Sequence, residues 1–354
     1  MGLSMPTMLG LLDEDARRLA ELLLRDGPEP PYHRYGVDSI RAMFDASPGD
    51  SAIPVHDVRE LAVPTAAVDL RVRCYRPTAD SDLPAVLYLH GGGFVLGTLD
   101  GVDDLCRTLA VEAGCVVVSV EYRRAPESVY PAAADDCLAA YDWLERDGAT
   151  LGIDTARLAI AGDSAGGNLA LSVCTTLAAA GRRMPRCLAL AYPATSASFQ
   201  GPSWEAFEHA PVLCKADAQW FWSNYASGDD LLDPRAVPEL STTSLPPFLV
   251  ISAEVDPLRS DYERFAELAA AEGITVELRR YDGVLHGFFT EVSLLRKARL
   301  AATDTADYLA RHLTLTAGKP GETGYSDHEP IHVTNSGGPP EDQQGARHGA
   351  HPRS

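Results

Sequence analysis

Through the middle of the chain, short continuous apolar runs alternate with stretches whose apolar residues recur every three to four positions. The runs PAVLYLH (84–90), CVVVSVEY (115–122), RLAIAG (157–162), RCLALAY (186–192), PFLVISA (247–253) and ITVELRRY (274–281) read as strands. Helical spacing fills the intervals near 102–113, 132–147, 165–180 and 258–271, and a last helix is expected near 293–312. Strands that are apolar throughout, rather than alternating, are buried on both faces. They predict an α/β fold with a mostly parallel central sheet and helices on both faces. Ahead of it, VHDVRELAV and AAVDLRVRCY alternate strictly over residues 55–76, with Pro64-Thr65 between them. This pattern predicts an antiparallel hairpin at the start of the sheet.

Three segments fall outside that rhythm. Residues 8–25 carry Leu9, Leu12, Ala16, Leu19, Leu22 and Leu23 at helical spacing and end at Gly27-Pro28; a shorter helix is expected around Ile40–Phe44, stopped by Pro48-Gly49. Residues 1–50 are therefore read as helices contributing to a cap, and 51–314 as the main body. Between Pro193 and Pro246 there is no strand pattern, yet three of the four tryptophans lie there, with Phe207, Phe221 and Tyr225. A helical cap insertion at about 195–245 is expected over the carboxyl ends of the strands, where such sheets keep their ligands. Its aromatic rings would serve either that cavity or the insertion's own core. From about residue 315 the chain turns Gly-, Pro- and polar-rich and loses apolar periodicity, so 315–354 is expected to be disordered.

Composition narrows the partners. A formal charge of −20 over 354 residues repels phosphate backbones and anionic headgroups, which argues against nucleic acid and membrane surfaces. No apolar run approaches the roughly 18 residues that span a bilayer, and MGLSMPTMLGLL lacks the basic start of a signal peptide. The seven cysteines are scattered and include no C-x-x-C pair. Reduced, buried thiols in a cytoplasmic protein are expected. Four of the ten histidines sit in the tail at irregular spacing, so neither a metal nor an organic cofactor is expected. Homo-oligomerisation stays open.

The candidate chemistry centres on Gly162-Asp163-Ser164-Ala165-Gly166, lying between an expected strand and an expected helix. A G-x-S-x-G match alone is weak, but that context is the one a nucleophile elbow requires: a strained turn that lifts a serine hydroxyl above the sheet edge. A serine needs a base, and the base needs an acid to fix its tautomer. In this architecture both follow the serine, each just past a strand's carboxyl end, in the order acid then histidine. Of His209, His286 and His312, only His286 follows a strand, in YDGVLHGFF. Asp256 follows PFLVISA and is the preferred acid, with Glu254, Asp261 and Asp282 as alternatives; Asp163 is read as structural. The loop His90-Gly91-Gly92-Gly93 comes straight after a strand, and its bare N–H groups, with that of Ala165, could hold a developing oxyanion. No phosphate-binding glycine motif is present.

Together, His90-Gly91-Gly92-Gly93, Tyr122-Arg123-Arg124-Ala125-Pro126-Glu127, Gly162–Gly167, Asp256-Pro257-Leu258 and His286-Gly287-Phe288 resemble the hormone-sensitive lipase family of α/β-hydrolases, in its bacterial G-D-S-A-G branch. The likeness covers roughly residues 55–312. It implies a carboxylic ester hydrolase with triad Ser164, Asp256 and His286, a small-molecule ester as substrate, and oxyanion donors among Gly91, Gly92, Gly93 and Ala165, chiefly Gly92 and Gly93; an apolar pocket capped by the insertion and the N-terminal helices would favour short to medium acyl chains. Arg124 departs from the family, which usually has an apolar residue there. The same machinery on an amide or a lactone is the alternative activity. A ligand receptor on a dead hydrolase fold is disfavoured, because all three triad groups are present.

Overall fold

The structure, a computed structural model, describes residues 2–26, 31–45, 51–314 and 333–335. In chain order the helices and strands are α1 (Met5–Leu11), α2 (Glu14–Asp26), α3 (Val37–Phe44), β1 (Asp57–Pro64), β2 (Asp69–Arg76), β3 (Leu83–Leu89), α4 (Asp103–Ala113), β4 (Val116–Val120), α5 (Ala132–Asp147), β5 (Ile153–Asp163), α6 (Ala165–Ala179), β6 (Leu188–Ala191), α7 (Pro202–Ala206), α8 (Lys215–Tyr225), β7 (Phe248–Val255), α9 (Arg259–Ala271), β8 (Val276–Leu285), α10 (Arg296–Thr314) and β9 (Val333–Asn335).

One sheet runs β1-β2-β4-β3-β5-β6-β7-β8-β9. β1/β2 and β2/β4 pair antiparallel and every later pair is parallel. Hairpin, parallel core and covering helices are thus as the apolar pattern predicts. β3, β4 and β6 are buried along nearly their whole length because helices pack on both faces, which is why they carry Val, Leu and Ala without alternation. Among the described residues no helix is long and apolar enough to cross a membrane. All seven cysteines are unpaired and buried.

The structure corrects the reading in three places. The single helix expected over 8–25 is two, because the Asp13 side chain accepts the Ala16 N–H at 3.0 Å and starts a new helix. Asp13 is itself tethered, its N–H donating to Gly283 O at 2.9 Å. β8 continues past residue 281 to Leu285, so His286 comes directly off a strand end. Of the tail expected to be disordered, Val333–Asn335 form a short strand beside β8; the rest of 315–354, like Gly27-Pro28 and Pro48-Gly49, lies outside the described residues. The interval 195–245 holds α7, α8 and short helical turns.

Candidate active site

The elbow is built by steric necessity. Ser164 stands between β5 and α6 at φ 53°, ψ −115°, a backbone state that L-residues adopt only under strain. The turn closes because Gly166 brings α6 onto the end of β3: a Cβ there would lie 1.9 Å from Leu89 O. The strained residue is held in place by its own backbone, with Ser164 N–H donating to Ala191 O at 2.8 Å.

The structure brings the three sequence-selected groups together. Ser164 Oγ lies 2.9 Å from His286 Nε2, and His286 Nδ1 lies 2.8 Å from Asp256 Oδ2. Since a carboxylate only accepts, Nδ1 carries the proton and Nε2 presents its lone pair to the hydroxyl. Asp256 is fully buried; its Oδ1 accepts the Leu258 N–H at 2.8 Å and its Oδ2 the Tyr262 hydroxyl at 3.2 Å. These bonds fix the carboxylate and supply the donors that a buried charge requires. The other candidate acids are engaged elsewhere: Glu254 accepts the Gly283 N–H, Asp261 the Trp204 indole N–H, and Asp282 the Arg280 guanidinium. His209 is exposed, and His312 bonds Tyr308 O at the end of α10.

The glycine loop follows β3, as expected, but its donors are not equivalent. Gly91 N–H donates to Asp163 Oδ1 at 3.0 Å, and the Tyr88 hydroxyl donates to the same oxygen at 2.7 Å. One N–H cannot serve two acceptors well, so Gly91 drops out of the donor set. The N–H groups of Gly92, Gly93 and Ala165 have no partner among the described residues. Asp163 is structural, as read; burial pushes its carboxyl above the usual range, and the bonds from Tyr88 and Gly91 partly offset that. His90 is buried, with Nδ1–H donating to Gly91 O at 2.8 Å and its ring stacked 4.3 Å from that of Tyr122. Burial lowers it from 6.5 to about 4, so it is neutral.

Sequence reasoning did not find two supporting residues. Tyr192 lays its ring 4.6 Å from that of His286, and its hydroxyl accepts the Phe289 N–H at 3.1 Å. Tyr262 holds the acid, as above. The available signal was position: Tyr192 follows the carboxyl end of β6, and Tyr262 lies six residues after Asp256.

Residues 86–290 match a family described as having the alpha/beta hydrolase fold. The chain is 36% identical to an ethyl acetate hydrolase of Pseudomonas putida over 294 residues, 80% of this chain and 92% of that protein. It is 35% identical to the carboxylic ester hydrolase LipN of Mycobacterium tuberculosis, over 78% of this chain and 75% of the other. Among solved structures, a thermostable esterase from Pseudomonas putida superposes with a TM-score of 0.81 at 30% identity, covering 86% of this chain and 98% of that one. The chain belongs to the hormone-sensitive lipase-like family of α/β-hydrolases.

In this family member a cavity of about 420 Å³ opens above the serine. Its floor is Ser164, His286 and the glycine loop; its walls are Leu19, Ile40 and Phe44 from the N-terminal helices and Trp204, Phe221 and Trp222 from the 195–245 interval. Trp204 and Trp222 are also buried, so single rings serve cavity and packing at once. Among the described residues no cluster of His, Cys, Asp and Glu could hold a metal ion.

Proposed function

We propose that Ser164, activated by His286 and Asp256, cleaves carboxylic esters of short to medium acyl chains through an acyl-enzyme. The chain is a carboxylesterase-type hydrolase. Ser164 Oγ attacks the acyl carbonyl carbon as His286 Nε2 takes its proton, and Asp256 stabilises the resulting imidazolium. The carbonyl oxygen becomes an anion held by the N–H groups of Gly92, Gly93 and Ala165, each worth about 3 kcal/mol in the barrier. Collapse breaks the ester C–O bond, and His286 returns the proton to the departing alcohol. Water, deprotonated by the same Nε2, then attacks the acyl carbon; the acyl–Oγ bond breaks, His286 returns the proton to Ser164 Oγ, and the acid leaves.

One observation carries the reading: hydroxyl, imidazole and carboxylate lie in hydrogen-bonded series at 2.9 and 2.8 Å. The cavity favours compact acyl groups, since its volume of about 420 Å³ is bounded by packed aromatic walls and is near the lower end of small-molecule sites. Residues 1–50 and 195–245 are its cap in this reading. A cytoplasmic location fits the buried reduced thiols, and the acidic charge disfavours nucleic acid as a partner.

Turnover of p-nitrophenyl acetate, butyrate and palmitate tests the size limit, and a preference for palmitate contradicts it. A fluorophosphonate probe tests the nucleophile: labelling confined to Ser164 is expected. An unlabelled, inactive protein would point to a receptor instead.

A further inference from the structure

The loop that carries the proposed oxyanion donors is gripped at its far end by two charged groups that also pair with each other. Gly97 N–H donates to Asp45 Oδ1 at 2.9 Å, Gly97 C=O accepts from Arg124 Nη1 at 2.9 Å, and the same Nη1 lies 2.5 Å from Asp45 Oδ2. The two side chains close a ring with one residue, holding the peptides on either side of its Cα. Asp45 caps the end of α3, whereas Arg124 follows β4. Four residues before Asp45 on α3, Arg41 makes the complementary contact: its Nε donates to Val95 O at 2.9 Å while its fork grips Glu127 at 2.7 and 2.9 Å. Two ion pairs of opposite sense thus fasten α3 astride residues 95–97.

Gly97 is mechanically close to the donors. At φ +97° it sits so tightly that a Cβ would meet the His90 ring at 2.3 Å and Gly91 O at 2.5 Å. Val95 and Leu96 N–H both bond Gly92 O, at 3.1 and 2.8 Å. A shift at Gly97 therefore reaches Gly91 and Gly92 directly. The same helix lines the cavity through Ile40 and Phe44.

We propose that Arg124 and Asp45 act as a clamp on Gly97, making them positioning residues that set the oxyanion donors by the seating of α3. The inference rests on the reaction proposed above. Neither group touches the reacting atoms; they act through the loop.

The test compares kcat and KM of the full chain on p-nitrophenyl butyrate for Arg124→Met, Asp45→Asn, the double variant and Arg124→Lys, with melting curves for each. Small misplacements of catalytic geometry cost on the order of ten- to a hundredfold, so kcat should fall at least about tenfold with KM within about twofold. The double variant should be no worse than the poorer single, since the two act on one residue, and Lys should recover part of the loss. Should Arg124→Met fold poorly, Asp45→Asn, which keeps shape and one acceptor oxygen, decides alone. Lowered melting with wild-type kcat, additive losses, or a change in KM alone overturns the clamp. If the wild type neither turns over esters nor takes the fluorophosphonate label, the proposed reaction fails and the clamp with it.

Discussion

Gly166→Ala places the largest steric demand on the site with the smallest chemical change. The added Cβ would lie 1.9 Å from Leu89 O, 2.5 Å from Leu89 C and 2.6 Å from His90 O, all backbone atoms at the end of β3. Ordinary contact begins near 3.4 Å, so a separation of about 1.5 Å must be found. β3 cannot supply it, being bonded to β4 on one side and β5 on the other. Surplus methylenes in a packed core cost about 1–3 kcal/mol, and this rigid clash belongs at or beyond the upper end. If α6 retreats instead, Ser164 moves off its 2.9 Å contact with His286, and a displacement of about 1 Å is worth roughly a hundredfold in kcat. Either way one observable collapses. Gly10→Ala is the control: α1 is helical there and nothing lies within 4 Å of the new Cβ. That change should be neutral or stabilise by up to about 1 kcal/mol. Urea denaturation with kcat on p-nitrophenyl butyrate reads both. A Gly166→Ala protein matching wild type in stability and kcat would refute the account of the elbow.

Three further outcomes are expected. Ser164→Ala and His286→Ala should each lower turnover by several orders of magnitude, with the double variant hardly worse, and additive losses would argue against a unit. Asp256→Asn keeps the shape but lets the imidazole take the wrong tautomer, so kcat should fall about 10⁴-fold at neutral pH while the melting temperature changes little. His90 should stay neutral in the folded protein down to about pH 4. Because the unfolded chain takes up that proton near 6.5, the folded state loses up to about 3 kcal/mol of stability as pH falls from about 6.5 to about 4. An NMR titration in which the His90 ring protonates at an ordinary pH would contradict this.

The central architecture was legible because parallel strands buried on both faces must be apolar throughout, and β3, β4 and β6 are. The triad was legible for a related reason, since Asp256 and His286 each leave the carboxyl end of a recognisable strand. Other features had no linear signal. The apolar stripe of residues 8–25 continues through the break at Asp13 because α1 and α2 face the same core; only a cap distinguishes two helices from one. Asp282 and Gly283 disguised the end of β8. Three adjacent glycines look alike until Asp163 is seen to occupy one N–H. Tyr192 and Tyr262, large and buried, read as core although both steady the triad.

The seven sulfur atoms carry a practical consequence. Burial pushes every thiol up, even at Cys214, which rises to about 11, so reactive thiolate is scarce while the chain stays folded. Iodoacetamide should leave the native enzyme untouched and working, which separates it at once from hydrolases that attack through sulfur. Alkylation then becomes a clock for opening of the chain: each modified cysteine dates the exposure of its own layer of the core, without any engineered label.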